Sequence, residues 1–157
     1  MSFNYDAKHD QISANSLQLK PSVAAAGAPT TTGTIKVTIN INAVSHFLSN
    51  TAYHCSLLAI GGIIDVDNAA VAGGMESANR IASGGNSSSS CTLTIPYSWT
   101  LPADANADSG LILVFGVSAV TGKGESATVP RSTLQLDGIE SLPANGATST
   151  FSFNVTL

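Results

Sequence analysis

The clearest feature of the chain is alternation. From Cys91 to Leu101, the apolar residues Cys91, Leu93, Ile95, Tyr97, Trp99 and Leu101 alternate with Thr92, Thr94, Pro96, Ser98 and Thr100. A period of two places one set of side chains on each face of an extended backbone, so this stretch predicts a strand with one face buried. Ile35, Val37, Ile39 and Ile41, set against Lys36, Thr38, Asn40 and Asn42, predict another from Thr34. AYHCSLLAI at 52–60 predicts a third, and Phe151, Phe153, Val155 and Leu157 point one way at the end of the chain. LILVFGVSAV at 111–120 is apolar in both phases, as in a central strand of a packed sandwich. Shorter candidates are 16–20, 63–66 and 132–136.

Gly, Pro, Asn and Asp punctuate these runs, and no segment sustains a period of 3.6. MESANRIASGGNSSSS at 75–90 reads mostly as loop, with room for one helical turn around Met75–Ile81. About seven short alternating strands predict an antiparallel β-sandwich, with a small barrel as the alternative. Residues 1–15 are polar and mixed, and PSVAAAGAPTTTG at 21–33 is uncharged and rich in Ala, Thr, Pro and Gly. Residues 1–33 are therefore expected to be an N-terminal arm or linker, and 34–157 the sandwich domain. An ordinary first strand followed by a long loop is the other reading.

Composition sharpens this picture. A chain of 157 residues is about one domain, long enough to bury a core. Charged residues make up only 10%, against roughly 25% in ordinary soluble domains, so the expected surface is neutral and rich in hydroxyls. The net charge is −4 and the six cations (Lys8, Lys20, Lys36, Arg80, Lys123 and Arg131) are scattered. Nucleic-acid binding, which needs clustered cations, is not expected. No apolar run approaches the ~20 residues of a membrane span. The polar start MSFNYDAKHDQISAN is no signal peptide, so export would need another route or a leader already removed.

Cys55 shares its phase with Tyr53 and Leu57, and Cys91 shares its phase with Leu93 and Ile95. Two cysteines facing one core from two strands invite a disulfide, which implies maturation in an oxidising place. Two free buried thiols, packed as small hydrophobes, are the alternative. Cys55, Cys91 and the neighbouring Trp99 give residues 34–157 an arrangement that resembles the immunoglobulin-like sandwich family. That resemblance implies an antiparallel immunoglobulin-like β-sandwich. The chain departs from the family in carrying Trp99 after the second cysteine and in the closer spacing of the two. The hydroxyl-rich composition also resembles bacterial surface modules and phage decoration proteins.

Candidate chemistry is sparse. Asp104, Asn106 and Asp108 in DANADSG place oxygens at alternate positions like the start of a calcium loop, but Ser109 replaces the turn glycine and Phe115 stands where the bidentate acid belongs. A plain turn is the preferred reading. His46 and His54 lack the third and fourth ligands of a zinc site. VTGKGES at 120–126 departs from a phosphate loop in spacing and in Gly124, and reads as a hairpin turn. Tyr97 and Trp99 offer a sugar-stacking pair but share the core phase. Asn86 and Asn154 begin glycosylation acceptor patterns. No cofactor and no catalytic constellation is expected. The expected function is that of a non-enzymatic structural or decoration protein, extracellular or on a virion, whose partners are copies of itself or a larger assembly. A carbohydrate- or cell-surface-binding adhesion module is the alternative.

Overall fold

The computed structural model describes residues 2–15, 18–19, 30–43, 47–65, 70–83, 88–100 and 109–157. Among these the chain is all-β, apart from one short 3₁₀ turn at Gly124–Ser126. The strands are β1 (Ser2–Asp6), β2 (Gln11–Asn15), β3 (Gln18–Leu19), β4 (Thr30–Asn42), β5 (Thr51–Asp65), β6 (Ala70–Ser83), β7 (Ser89–Thr100), β8 (Ser109–Thr121), β9 (Thr128–Glu140) and β10 (Thr148–Thr156). They form a small sheet of order β10-β4-β7, a large sheet of order β3-β6-β5-β8-β9, and the separate hairpin β1-β2. Pairing is antiparallel except for β10 on β4 and β3 on β6.

The two larger sheets pack face to face. Ile35, Val37 and Ile39 of β4, and Cys91, Leu93 and Ile95 of β7, meet Tyr53, Cys55 and Leu57 of β5 and Leu113, Phe115 and Val117 of β8. All are buried, and the polar alternates of β4 and β7 face out, as the period of two requires. The outer face of the small sheet is a plane of hydroxyls and amides carrying one charge, Lys36. The Thr38 and Thr92 hydroxyls lie 3.3 Å apart across it, and Asn40 Nδ2 donates to Ser152 Oγ and Asn154 Oδ1.

A third layer explains why β8 is apolar on both faces. Residues 2–15, read from the sequence as part of an arm, form the β1-β2 hairpin, whose Phe3 and Ile12 pack on Leu58, Ile60, Ile112 and Val114 on the outer face of the large sheet. Four aliphatic side chains lose water there, at roughly 1.5–3 kcal/mol each for complete burial. The small sheet begins at Thr30, so the reading of an arm rests on residues 20–29, which lie outside the described residues.

Two further differences from the sequence reading have local causes. The described residues form ten strands rather than about seven, because the hairpin and β6 carry weak patterns. β6 covers the stretch read as loop. On the inner side of the sheet it carries Gly74, Glu76, Ala78, Arg80 and Ala82, opposite Gly61, Ala59, Leu57, Cys55 and Tyr53, with Glu76 and Arg80 exposed. Small and charged residues there leave no apolar alternation to see. Their smallness serves Trp99, because a Cβ at Gly61 or Gly74 would overlap the indole ring.

Candidate functional site

Cys55 and Cys91 are joined by a disulfide that ties β5 of the large sheet to β7 of the small sheet, and no described cysteine is free. Tyr97 and Trp99 stack on each other with centroids 4.3 Å apart, 5% and 3% exposed. They are core residues and offer no sugar platform. Tyr97 Oη and Trp99 Nε1 are buried without a hydrogen-bond partner among the described residues. Burial pushes the Tyr97 phenol above its usual range. The calcium candidates Asp104, Asn106 and Asp108 lie outside the described residues, as do His46 and Asn86. Among the described residues, no group of three or more His, Cys, Asp or Glu could hold a metal ion. VTGKGES makes the β8–β9 connection, with Gly122 and Gly124 at φ 91° and 61°. These left-handed glycines let the chain reverse, as a hairpin requires.

A polar cluster lies at the turn of the β1-β2 hairpin. Asp6 shapes its turn: Oδ1 accepts from the backbone N–H of Lys8 and of His9, and Oδ2 lies 2.7 Å from His9 Nδ1. The His9 side chain foremost, then these backbone N–H groups, holds the Asp6 carboxyl below its usual range. The turn closes at Asp10, which adopts φ 54°, a conformation that Asp tolerates better than most residues. That geometry aims Asp10 Oδ2 at His54 Nδ1 on β5, 2.5 Å away. With the carboxylate accepting, the ring keeps its proton on Nδ1 and leaves Nε2 for other partners.

Hydroxyls surround this pair. Ser56 Oγ donates to the Asp10 carbonyl at 3.0 Å, and Ser118 Oγ donates to the Ala7 carbonyl at 3.3 Å. Tyr5 Oη donates to Ser118 Oγ at 3.2 Å while its ring lies flat on Gly116, where a Cβ would stand 2.8 Å from it. Burial raises the Tyr5 pKa, against the Ser118 hydrogen bond that lowers it. Both serines are therefore committed to backbone carbonyls and lock the hairpin turn to the sheet. Beside the cluster runs a groove of about 950 Å³, with Lys8, His9, His54, Lys123 and Glu125 on its walls and Ala52, Ile81 and Val120 beneath. Lys8 Nζ spans it to the Glu125 carbonyl at 3.2 Å.

Sequence reasoning named His54 but missed Tyr5, Asp10, Ser56 and Ser118. The signal was present in FNYDAKHDQIS: Phe3, Tyr5 and Ile12 alternate with polar residues on either side of an Asp-bounded turn, which is a hairpin pattern. Comparison with family models, with curated proteins and with solved structures finds no match to this chain. What the fold defines is a disulfide-pinned, three-layered all-β module. Among the described residues, no helix is long and apolar enough to cross a membrane.

Proposed function

We propose that the protein is a non-enzymatic structural or decoration module of the immunoglobulin-like sandwich type, which assembles on a larger extracellular or virion surface. The observation that carries this reading is the nearly uncharged outer face of the small sheet, where Lys36 is the one charge among threonines, serines, asparagines and Pro96. An open hydroxyl-rich sheet face of this kind suits broad contact with another surface better than it suits enclosure of a substrate. The cluster at His54 supports the same reading, because the nearby serine hydroxyls already bond to backbone carbonyls and are not poised as nucleophiles. The disulfide fits an oxidising location. Residues 20–29 retain the role of an arm that docks on a neighbouring subunit. Replacing them with a glycine–serine linker of equal length tests that role. The domain should stay folded with its disulfide intact, and its sedimentation should change from assembled to monomeric. Unchanged assembly refutes the arm.

The second reading, a carbohydrate-binding adhesion module, is favoured by the groove beside His54, whose polar walls and apolar floor suit a sugar acid. A glycan array probed with and without calcium separates the two readings and also tests Asp104, Asn106 and Asp108.

A further inference from the structure

The two packed sheets have four edges, and three are guarded. β9 carries Pro130, Arg131, Asp137 and two register shifts against β8. β7 carries Pro96, and β6 carries Glu76 and Arg80 and is flanked by β3 at one end. Charges, prolines and bulges keep an edge from pairing with another chain. β10 has none of these. TSTFSFNVT is uncharged, lacks proline and keeps an unbroken register with β4 from Thr148 to Thr156. Among the described residues, no strand pairs with its other side.

The open hydrogen-bonding groups can be assigned. Ala147 O accepts from Thr34 N–H, and Leu157 N–H donates to Asn42 O, both at 3.0 Å. Successive residues of a paired parallel strand turn their backbone groups to opposite sides. The odd-numbered residues therefore serve β4, and Thr150, Ser152 and Asn154 present N–H and C=O to the open edge. Beneath that edge lies a shelf. Phe153 stacks on Phe115 of β8 at 4.5 Å, so β10 sits above β8, and β9 projects beyond it by about one strand spacing, ~4.8 Å. The face of β9 turned toward the small sheet carries Arg131, Thr133, Gln135 and Asp137, opposite Ala119, Val117, Phe115 and Leu113. Arg131 and Gln135 are exposed, and Phe151 and Phe153 above them are only half-buried.

We infer that this step, the unguarded β10 edge above the β9 shelf, is a docking slot for an extended segment of a partner polypeptide, which enters as a fourth strand of the small sheet. The inference deepens the assembly reading and rests on it for the partner's existence. Another extended backbone matches a row of alternating N–H and C=O groups one for one, where water otherwise satisfies them. A second copy of β10 is not the occupant, because two β10 edges paired antiparallel would drive each projecting β9 into the space of the other copy's β8. The shelf sets the chemistry of the guest. Its downward side chains place an acid over Arg131 and a base over Asp137, ~20 Å away at six residues of strand rise, with hydroxyls or amides between.

The test uses the full chain and a nine-residue peptide of alternating threonine and serine, with glutamate second and lysine eighth. Nuclear magnetic resonance should show saturable shifts and slowed exchange at the amides of Thr150, Ser152 and Asn154. Ser152→Pro removes an edge N–H that β4 does not use and should weaken binding at least tenfold. Arg131→Glu, far from the β4 ladder, should do the same should the proline variant fail to fold, and a peptide with lysine at both positions should bind more weakly than the first. Unaffected edge amides, or equal binding by wild type and the variants, overturns the slot. Edge protection that rises with protein concentration in the absence of peptide overturns the choice of occupant in favour of a second copy. Monomeric native material that still binds the peptide would refute the assembly reading and leave the slot standing.

Discussion

The Cys55–Cys91 crosslink allows the most direct quantitative test of the fold. The two residues are separated by 36 positions and join opposite sheets. The chain between them includes β6 and the run into β7, so the crosslink closes one long loop in the unfolded ensemble. In the chain-entropy model, closing a loop of this length costs the unfolded state about 4 kcal/mol at room temperature. At ~2.1 cal/mol/K per residue, unfolding 157 residues carries an entropy of about 0.33 kcal/mol/K, so removing the crosslink should lower the Tm by about 12 °C. Two perturbations separate the crosslink from the packing. Reduction leaves both sulfur atoms in the core and removes only the constraint. Cys55→Ala with Cys91→Ala also empties space among Leu57, Leu93 and Val117, and large-to-small changes in a core add a cavity cost. The expected order of stability is oxidised, then reduced, then the double alanine variant. Urea unfolding followed by Trp99 fluorescence provides the assay, since the indole sits in the same core. A reduced protein within 1 kcal/mol of the oxidised one would refute the argument, and would mean that the unfolded chain already holds the two sheets together.

Three other outcomes follow from single contacts. Gly74→Ala should cost about 1–3 kcal/mol by overpacking against Trp99, and should change the tryptophan emission spectrum; an unchanged spectrum would place the ring elsewhere. Ile12→Ala should cost about 2–4 kcal/mol and speed amide exchange across β1 and β2 before the rest of the chain; uniform exchange would mean that the hairpin is not a separable layer. Burial raises the pKa of Tyr5, Tyr53 and Tyr97 above the ordinary value of 10.0. Each phenol then favours the folded state fully below pH 10, and this contribution is lost as pH rises through the folded pKa values, so stability should fall on the alkaline side. Phenolate absorbance should appear together with loss of structure, and free titration of all three phenols in a folded protein would contradict their burial.

The sequence carries the sandwich core openly because its strands obey one rule. From Ile35 in β4 and from Cys91 in β7 every second residue is apolar, since one face meets the core and the other meets water. β8 breaks alternation, and its double apolar face is an equally direct sign of cover on both sides; the sequence does not say what provides the cover. The answer lies in Phe3, Tyr5 and Ile12, whose hairpin is short, polar in composition and persuasive only once Gly116 is seen to make room for the Tyr5 ring. β6 hides for the opposite reason. Its Gly74 is required by the shape of Trp99 and its Glu76 and Arg80 are exposed, so no apolar periodicity survives. The polar cluster is similarly long-range. Asp10 meets His54 across 44 residues, and Ser118 meets Ala7 across 111.

The unequal widths of the two sheets bring these points together. A small sheet of three strands covers a large sheet of five, so among the described residues no strand covers the inner side of β9. A bare flank in a monomer must be polar, and β9 is: Arg131, Thr133, Gln135 and Asp137 stand where a core strand would carry valine or leucine. The adjoining edge should then be guarded as well, because an unpaired strand beside an open shelf invites addition of another chain. β9, β7 and β6 meet that expectation, and β10 does not. One lysine in place of Ser152, on the outer face and far from the core, would have guarded the edge at negligible cost to packing. The guard is missing at the one edge that has a shelf beneath it, which is where a guest strand would be received.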